Sequence, residues 1–371
     1  MKATIIDVMN TFRGPHMLLL IINPGATSTK IAVYEDETEV FLDTIHHSQQ
    51  ELSGFSHIID QLDFRTGLVM QTLKEHGYTR EQFDAVCSRG GLLRHVPSGT
   101  YRISDAVISD IYNPPYGEHA SSLGPVIAKT LADLAGVPAF LVDPVSVDEM
   151  IPLARVSGFC GMERESFFHA LNQKAVARKA AASLGKRYAD VNLIVAHMGG
   201  GVSVAAHEKG RVIDLFNVKD DGSFSMDRGG ALPVNAVVNL CFSGKSKQEI
   251  KKLLGMEAGV FSYLGTRDFQ DVEQRMLGGD ETAKLIFEAM AYQHAKDIGA
   301  LAAVLKFDVD AIVFTGGIAH SDRFCSAIAA YVEKIAPVLR FPGEEEMRSL
   351  AEGALRVLRG ETALDYSASG S

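Results

Sequence analysis

The feature that most constrains this chain is an order of strands and loops that occurs twice. In the first half, a strand over residues 18–22 leads into a loop of Gly, Ser and Thr, and residues 31–34 return as a second strand. Residues 192–196, a glycine loop and residues 202–206 repeat this order before a turn at residues 208–210. Helical patterns alternate with these and later strands, which predicts α/β architecture. The repeat predicts two similar domains.

Length and charge agree with this interpretation and exclude several functions. The chain has 371 residues, and 36 basic against 46 acidic residues give a net charge of -10. This length suits two domains. An acidic chain without a basic run is a poor partner for nucleic acid or an anionic membrane surface. No apolar stretch approaches the roughly 18 residues of a membrane span. We therefore expect small-molecule ligands and a homo-oligomer, a dimer or higher.

The cysteines and the N-terminus indicate a cytoplasmic protein. Cys87, Cys160, Cys241 and Cys325 lie far apart, without a C-x-x-C pair. That spacing suits neither a zinc site nor a disulfide framework, so reduced thiols are expected. The apolar run before residue 23 is too short for a signal peptide and is better explained as the first strand. Residues 1–16 would then be an extension.

Helix signals are clear at several places. Residues 167–184 predict a long helix with Ser166 as its N-cap and Gly185 after its end. Ser246 and Glu249 have the spacing of a capping box. A further long helix is expected over residues 282–305, and a last amphipathic helix over residues 344–358.

Three glycine-rich turns each follow a buried strand, at residues 23–30, 197–203 and 315–318. Glycine lets backbone N–H groups approach an anion closely, and clustered N–H groups form an anion-binding concavity. None of the three is a Walker motif or a G-x-G-x-x-G turn that opens a helix. Together they predict a nucleotide cleft between two similar domains.

With these loops in view, the chain resembles the acetate kinase family, within the group of sugar kinases, actin and heat-shock chaperone ATPases. Residues 23–30 resemble the family's N-x-G-S-S-S-x-K opening, and Phe168-His169 resembles its F-H-G helix start. Residues 196–201 resemble the H-L-G-x-G loop, residues 225–228 the M-G-T-R segment, and residues 314–318 the adenosine loop. The resemblance spans residues 18–360.

Within the family, the likeness is strongest to butyrate and branched-chain fatty-acid kinases. Residues 88–92, 117–124 and 168–173 carry it. The resemblance implies two ribonuclease-H-like (actin-like ATPase) domains, with the nucleotide and substrate cleft between them and the last helix returning to the first domain. Residues 17–145 with about residues 340–371 would form domain I, and residues 146–339 domain II. The implied reaction is ATP plus butanoate to ADP plus butanoyl phosphate, with Mg²⁺.

The chemistry explains why such an enzyme needs cations. A short carboxylic acid is already ionised at neutral pH and needs no general base. Two like charges 4 Å apart repel by about 4 kcal/mol at an effective dielectric constant of 20. Matching the family residue by residue, Arg89 and Arg228 look like clamps for the carboxylate and the phosphoryl oxygens, and each begins an Arg-Gly-Gly turn. The planar fork of arginine suits bidentate binding of such anions.

The resemblance assigns the remaining roles. His169 would hydrogen-bond the phosphoryl group from the first turn of its helix, and Asn23 would contact the same group. The nucleotide would be bound by loop residues, namely Gly25, Thr27, Ser28, His197, Gly199, Gly200, Gly201, Gly316 and Gly317. The substrate would contact Arg89, Gly91, His119 and Phe168. Asp143 and Glu352 would hold Mg²⁺ directly or through water; the acids at residues 344–346 leave the register of the second carboxylate open.

The residues that follow Arg89 predict the size of the substrate. Gly90 and Gly91 follow the first clamp arginine where acetate kinases typically have bulky β-branched residues, so the sequence predicts room for a longer acyl tail. Burial of two extra methylenes contributes about 1.6 kcal/mol, so activity on C3 to C5 acids should overlap. Two alternatives stay open: an acetate or propionate kinase, and a nucleotide-gated ATPase of the actin or chaperone class.

Overall fold

The computed structural model describes residues 16–367, so the predicted extension at residues 1–16 lies outside it apart from His16. The strands are β1 (Leu18–Pro24), β2 (Ser28–Glu35), β3 (Thr38–His46), β4 (Ala85–Arg89), β5 (Thr100–Arg102), β6 (Ala139–Val142), β7 (Val156–Phe159), β8 (Met162–Glu163), β9 (Asn192–Met198), β10 (Val202–Glu208), β11 (Arg211–Phe216), β12 (Ala311–Gly316) and β13 (Val338–Pro342). The helices are α1 (Gln49–Leu52), α2 (Leu62–Glu75), α3 (Asp105–Tyr112), α4 (Leu123–Ala135), α5 (Pro152–Arg155), α6 (Ala170–Ser183), α7 (Val234–Cys241), α8 (Lys247–Met256), α9 (Gly259–Leu264), α10 (Phe269–Leu277), α11 (Glu281–Val304), α12 (Asp322–Val332) and α13 (Glu346–Leu358).

The chain forms two compact units. The first ends at Ser146 and resumes at Glu346, and the second spans Val147–Glu345. Helix α13 therefore belongs to the first unit although it comes last in the chain. The α/β fold with two units is confirmed. That these units are the domains assigned from the sequence, residues 17–145 with 340–371 and residues 146–339, stays a prediction.

Each unit contains one large mixed sheet. In the first unit the strand order is β3-β2-β1-β4-β6-β5, with β1, β4 and β6 parallel. In the second the order is β11-β10-β9-β12-β13, with β9, β12 and β13 parallel. Both sheets therefore begin with an antiparallel three-stranded meander whose first strand pairs with a later parallel strand. The repeat read from the sequence is present as shared topology.

Alternation of side chains along the strands explains the core of the second unit. Ile194 and Ala196 of β9 pack on the face that helix α11 covers. Leu193 and Val195 point to the opposite face, where Val176 and its neighbours on α6 pack against them. Successive strand residues alternate between the two faces, so a strand covered by helices on both sides is apolar throughout.

The long helix α6 begins later than the sequence predicts. It starts at Ala170, and His169 is its N-cap with φ -76° and ψ 60°. The prediction of Ser166 as N-cap is wrong: its buried hydroxyl donates to the Val147 carbonyl at 2.7 Å. Phe167 and Phe168 are buried as part of the segment that precedes the helix. His169 therefore lies at the helix boundary, one position before the first turn.

Other sequence expectations hold with small shifts. The capping box of Ser246 and Glu249 is present at the start of α8. Gly185 follows α6 with φ 69°, the left-handed conformation expected after a helix end. The four cysteines are free within the described residues. None of the helices between residues 16 and 367 is long and apolar enough to cross a membrane.

Candidate functional site

Three predicted site residues lie where parallel strands of the first unit end. Strands β1, β4 and β6 are neighbours in the sheet and parallel. Asn23 lies near the end of β1, Arg89 ends β4, and Asp143 follows β6. Because ligands in open α/β sheets bind at the carboxyl ends of the strands, these side chains mark the candidate ligand edge.

A glutamate on helix α13 joins two of these residues. Glu346 Oε2 accepts a hydrogen bond from Asn23 Nδ2 at 2.6 Å, and its Oε1 lies 2.8 Å from Arg89 Nη1. Asn23 is 7% exposed, and the side chains of Arg89 and Glu346 are only 21% and 16% exposed. The structure thus brings Asn23 and Arg89 together around Glu346, one of the acids that left the register of the second predicted metal carboxylate open.

The two predicted metal ligands differ in their surroundings. Asp143 is buried, has the unusual φ of 38°, and accepts hydrogen bonds at Oδ1 from Ser98 Oγ at 2.7 Å and the Gly99 N–H at 2.8 Å. Glu352 pairs with Arg348 one turn away on α13, at 2.9 Å. Within residues 16–367, no three His, Cys, Asp or Glu side chains cluster as a metal site. The assignment of Asp143 and Glu352 to a metal stays a prediction.

The first glycine loop is shorter than predicted, because β1 runs to Pro24 and β2 begins at Ser28. Gly25 donates its N–H to the Ser28 carbonyl at 2.7 Å, which closes the turn. Thr27 is exposed at the tip and Ser28 is half-buried. The three predicted nucleotide contacts of this unit therefore share one tight hairpin turn.

The buried side chain of Arg65 on α2 holds this loop from behind. Its guanidinium donates to the carbonyls of Gly25 at 2.9 Å, Ser28 at 3.1 Å and Ala26 at 3.1 Å. It also binds the side chain of Gln61 at 2.8 and 3.0 Å. Arg65 is 0% exposed, and burial lowers the pKa of its guanidinium. The sequence analysis missed this residue, because a single arginine within a helix carries no motif.

A second buried group completes the support of the loop. The His47 N–H donates to the Thr27 carbonyl at 2.9 Å, and its Nε2 lies 2.9 Å from Thr29 Oγ1. Burial, followed by the nearby charge of Arg65, lowers the pKa of His47 to about 4. His47 is therefore neutral at neutral pH, and the positive charge behind the loop resides on Arg65.

The glycines after Arg89 do not open the space that the sequence predicts. A methyl group built on Gly91 would lie 2.0 Å from Ser122 Oγ and 2.7 Å from the Ser122 Cα and N atoms. One built on Gly90 would lie 2.8 Å from Pro144 Cβ. Both glycines are buried and allow close packing. The argument that they leave room for an acyl tail is wrong, and the predicted substrate contact of Gly91 is untested.

The same packing brings the start of helix α4 to the candidate edge. A methyl group on Gly124 would lie 2.8 Å from the Arg89 carbonyl oxygen and 3.2 Å from Pro24 Cδ. The N-terminal turn of this helix therefore contacts the ends of β1 and β4. Helix N-termini attract anions through their N–H groups and dipole.

His119 lies beside a small cavity of the first unit. It caps the turn Ala120–Ser122, and its Nδ1 is 2.6 Å from Ser121 Oγ. The cavity has a volume of about 40 Å³. Its lining is mostly apolar and consists of Ile58, Ile59, Ile111, Tyr112, Pro114, Glu118, His119, Ser122 and Leu123. Ser122 also packs against Gly91, so the cavity lies close to the turn that follows Arg89.

In the second unit, the other two glycine loops meet at the ends of β9 and β12. These strands are parallel neighbours, with Thr315 opposite His197. Gly316 has φ 87°, and a methyl group on it would lie 2.4 Å from the Met198 carbonyl oxygen. Gly199 is buried and closes its turn on the Gly201 carbonyl at 3.0 Å, whereas Gly200 and Gly317 are exposed. The structure brings these predicted nucleotide contacts together.

Arg228 lies over the same loop. A methyl group on Gly201 would lie 2.8 Å from Arg228 Nη1, and that nitrogen donates to the Val218 carbonyl at 3.0 Å. The Arg228 side chain is 36% exposed. Next to it, burial raises the pKa of Asp227, although the Arg228 charge opposes the shift. A glycine at position 201 is therefore needed for the guanidinium to approach the loop.

Two histidines stack beside this loop. The rings of His169 and His197 are 3.6 Å apart between centroids and 11° from parallel. His197 belongs to strand β9, which continues to Met198, so the predicted start of the loop is wrong by two positions. Phe168 is 1% exposed in a hydrophobic cluster with Met150 and Ala205. This burial indicates a packing role for Phe168, and its substrate contact stays a prediction.

His197 is hydrogen-bonded at one ring nitrogen, and its other ring nitrogen lies close to a carboxylate. Its Nδ1 is 2.9 Å from Asn172 Oδ1, which also accepts from Thr315 Oγ1 at 3.1 Å. Its Nε2 is 3.0 Å from Glu344 Oε1. Asn172 thereby ties helix α6 to β9 and β12. The sequence pattern places Asn172 and Thr315 near the right motifs but gives no sign of this contact.

The chain is similar to known proteins in part of its sequence and in its fold. Residues 160–337, just under half of the chain, match the family model described as the acetokinase family. The structure resembles acetate kinase from Porphyromonas gingivalis with TM-score 0.77 and 19% identity, over 92% of this chain and 100% of that chain. It resembles a propionate kinase from Francisella tularensis subsp. tularensis SCHU S4 with TM-score 0.71 and 18% identity, over 91% and 98%. For acetate kinase from Entamoeba histolytica the values are 0.73 and 17%, over 91% and 99%.

Proposed function

Because residues 160–337 match the family model described as the acetokinase family, we propose that this chain transfers the terminal phosphoryl group of ATP to a short-chain carboxylate, with butanoate as the preferred acceptor. One observation carries the proposal. At a single sheet edge of the second unit, the Arg228 guanidinium and the stacked rings of His169 and His197 surround a glycine loop. This combination suits an anion that carries several negative oxygens.

The reaction needs cations more than it needs a base. The acceptor carboxylate is ionised at neutral pH, so phosphoryl transfer depends on positioning and on stabilisation of negative charge. We assign Arg89 to the substrate carboxylate, and Arg228, His169 and Asn23 to the phosphoryl oxygens. The contact of Asn23 and Arg89 with one carboxylate, and the position of Arg228 and His169 beside the second glycine loop, support these roles.

Nucleotide binding falls to the loops. In the first unit, Gly25, Thr27 and Ser28 present a tight turn backed by the charge of Arg65. In the second unit the contacts would come from His197, Gly199, Gly200, Gly201, Gly316 and Gly317. Backbone N–H groups in such turns bind phosphate oxygens, and the exposed Gly317 would leave space for the adenosine.

We place Mg²⁺ at two carboxylates of the first unit. It prefers carboxylate oxygens and usually takes only one or two from the protein, with substrate phosphates and waters completing its shell. Asp143 and Glu346 are the carboxylates that lie at or contact the candidate edge, and they would hold the ion. We prefer Glu346 to Glu352, because only Glu346 has a described contact with Asn23 and Arg89. The bound ion would supply positive charge to the phosphates.

Preference for butanoate rests on the cavity beside His119. Its volume of about 40 Å³ exceeds what one water needs, so it has room for a small group. Its lining by Ile58, Ile59, Ile111 and Leu123 is apolar, as such a tail requires. An acetate or propionate kinase is the alternative within the family.

The first experiment supplies ATP, Mg²⁺, butanoate and hydroxylamine, which traps the acyl phosphate as a hydroxamate. We expect hydroxamate to form only when the acid is present. Arg89→Ala and Arg228→Ala should each lower turnover about a hundredfold or more, as the loss of a group that stabilises developing charge does. Arg187→Ala is the control, because its side chain is 82% exposed and pairs only locally with Asp190.

Two outcomes would contradict the proposal. Retention of most of the turnover in either clamp variant would exclude the assigned roles. Slow ATP hydrolysis that is independent of any acid would favour a nucleotide-gated ATPase of the actin or chaperone class instead.

A further inference from the structure

A chain of hydrogen bonds leads into the ring of His169 through the interior of the second unit. His169 caps helix α6 and Gln173 follows one turn later, so both lie on the same side of the helix. Ser203 and His207 lie four residues apart on strand β10 and share one face of the sheet. Gln173 reaches both strand residues and connects them to His169.

The hydrogen bonds of the Ser203 hydroxyl determine whether His169 Nδ1 donates or accepts. Ser203 Oγ accepts from the His169 backbone N–H at 3.3 Å and from Gln173 Nε2 at 2.9 Å. A serine hydroxyl has two acceptor lone pairs and one donor hydrogen. Both lone pairs are therefore used, and the remaining hydroxyl hydrogen points at His169 Nδ1, which is 2.8 Å away. Nδ1 accepts this bond.

The orientation of the Gln173 amide is fixed independently. Its Nε2 also lies 3.0 Å from the Ser203 carbonyl oxygen. If the amide were reversed, Gln173 Oε1 would face the Ser203 carbonyl oxygen, and these two acceptors would repel each other. Nε2 must therefore face Ser203. Gln173 Oε1 then faces His207 Nε2 at 3.1 Å and accepts its hydrogen.

His207 has the tautomer that this arrangement requires. It is 0% exposed, and burial lowers its pKa well below the usual value, with the charges of Lys174 and Arg178 acting in the same direction. A neutral imidazole with its hydrogen on Nε2 has an acceptor at Nδ1. Tyr188 supplies the matching donor, because its hydroxyl lies 2.7 Å from His207 Nδ1.

We propose that this network sets the tautomer of His169, so that the neutral ring accepts at Nδ1 and carries its hydrogen on Nε2. The positioning residues are Tyr188, His207, Gln173 and Ser203. In the opposite tautomer, Ser203 Oγ would need a third lone pair, or a buried N–H would lose its acceptor. A doubly protonated ring would also carry a hydrogen on Nδ1, and Ser203 Oγ has no lone pair left to accept it.

The consequence concerns catalysis and rests on the proposed function. A hydrogen on Nε2 makes that atom a donor to the oxygens of the transferring phosphoryl group at neutral pH, without a need for the imidazolium form. A lone pair on Nε2 would repel the same oxygens. The network thus keeps His169 in the form that stabilises negative charge and prevents it from acting as a base at Nε2.

The first test reads the tautomer directly and needs no turnover. In full-length protein labelled with ¹⁵N in its histidines, long-range ring correlations show which nitrogen carries the hydrogen, and His169→Gln identifies the His169 signals. We expect a neutral ring with its hydrogen on Nε2. A His169 ring with its hydrogen on Nδ1 would overturn the proposal whether or not the protein phosphorylates butanoate.

The second test uses a matched pair at Ser203. Ser203→Thr keeps the hydroxyl, and Ser203→Val has nearly the same shape without it. We expect Ser203→Thr to retain the His169 signals and most of kcat. Ser203→Val should change the Nδ1 signal and lower kcat about tenfold or more, with a smaller change in KM for either substrate.

Two results would overturn the proposal at this stage. Identical His169 signals in the Thr and Val variants would show that the hydroxyl does not set the tautomer. A changed tautomer with unchanged kcat would exclude the positioning role while leaving the proposed kinase activity intact. If no acid is phosphorylated by wild-type protein, the proposed function fails and the tautomer reading still decides the network.

Discussion

Arg65 has an inconspicuous sequence context, yet its guanidinium donates hydrogen bonds to several groups of the first glycine loop. In the part of the chain that the structure describes, its guanidinium binds backbone carbonyls, the Gln61 amide oxygen and the Thr29 hydroxyl, all without a negative charge. Its charge is therefore not cancelled by a bonded carboxylate. A buried cation directly behind a glycine turn favours binding of phosphate on the other side.

We predict that Arg65→Met destabilises the protein and weakens nucleotide binding together. Loss of the guanidinium leaves loop carbonyls without donors, which costs about 1–3 kcal/mol of unfolding free energy for each buried group. It also removes the charge behind the loop, so KM for ATP should rise more than KM for the acid. Thermal unfolding and steady-state kinetics measure the two effects.

Arg80→Met is the matched control, because Arg80 lies at the surface and pairs with the neighbouring Glu81. It should leave both the unfolding midpoint and KM for ATP unchanged. An Arg65→Met protein that behaves like this control would contradict the role assigned to the guanidinium.

At the scale of helices and strands, periodicity predicted most of the fold. The strands around both glycine loops, the capping box of α8 and the long helix α11 all lie close to the predicted positions. The error at residues 166–169 has a physical cause. A serine before an apolar run has the pattern of an N-cap, but Ser166 bonds to Val147 and the two phenylalanines are buried before the helix begins. Tertiary packing outweighed the local signal.

Side-chain networks were beyond the reach of the sequence. Arg89, Asn23 and His169 could be named because they lie in motifs, but Glu346 and Ser203 depend on contacts between distant segments. The same applies to Gly91: its motif suggested an open space, and only the position of Ser122 shows that the space is filled. Sequence spacing identifies residues on one element, whereas close packing between elements is set by the whole fold.

Helix α11 carries a group whose burial makes the stability of the protein dependent on pH. His294 is 0% exposed, donates from Nδ1 to the Met290 carbonyl at 2.8 Å, and packs against Phe324. Burial lowers its pKa to about 4. In the unfolded chain its pKa returns to about 6.5. Between these values the unfolded state binds the additional proton.

We predict that this stability is present in full above about pH 6.5 and is lost as the pH falls toward 4. Linkage gives a loss of at most about 1.4 kcal/mol per pH unit from one such group. His294→Leu should remove the part of the pH dependence of the unfolding free energy that comes from His294. Urea unfolding of both proteins at pH 7.5 and pH 5 measures it, because any change in packing is the same at both pH values and cancels. An equal loss of stability on acidification in both proteins would contradict the prediction.

At the scale of the whole molecule, the two units share a topology but support their glycine loops differently. In the first unit the loop rests on Arg65, a buried cation. In the second, Asn172, Thr315 and the stacked histidines lie beside the loop, and the partly exposed Arg228 approaches Gly201. The repeat in the sequence therefore predicts the shared sheet order and the positions of the loops. It does not predict that the side chains around them diverged.

A shared fold does not fix which acid is phosphorylated, because fold alone does not determine substrate. Under the proposed function, we place the acyl tail in the cavity that His119 and Ser122 line. We predict that kcat/KM rises from acetate to butanoate and falls for pentanoate, since a cavity of about 40 Å³ with a mostly apolar lining suits a short acyl tail and not a longer one. Two methylenes contribute about 1.6 kcal/mol, so butanoate should exceed acetate by about fifteenfold.

The cavity itself is tested by filling it. Ile58 lines it, and Ile58→Phe adds volume there, so this variant should lose kcat/KM for butanoate by about tenfold while activity on acetate changes little. Met70→Phe is the control, because Met70 lines a separate cavity of about 290 Å³ in the same unit. If Ile58→Phe lowers activity on acetate and butanoate equally, the cavity does not receive the acyl tail. Highest activity on acetate or propionate in the wild-type protein would instead favour the alternative within the family.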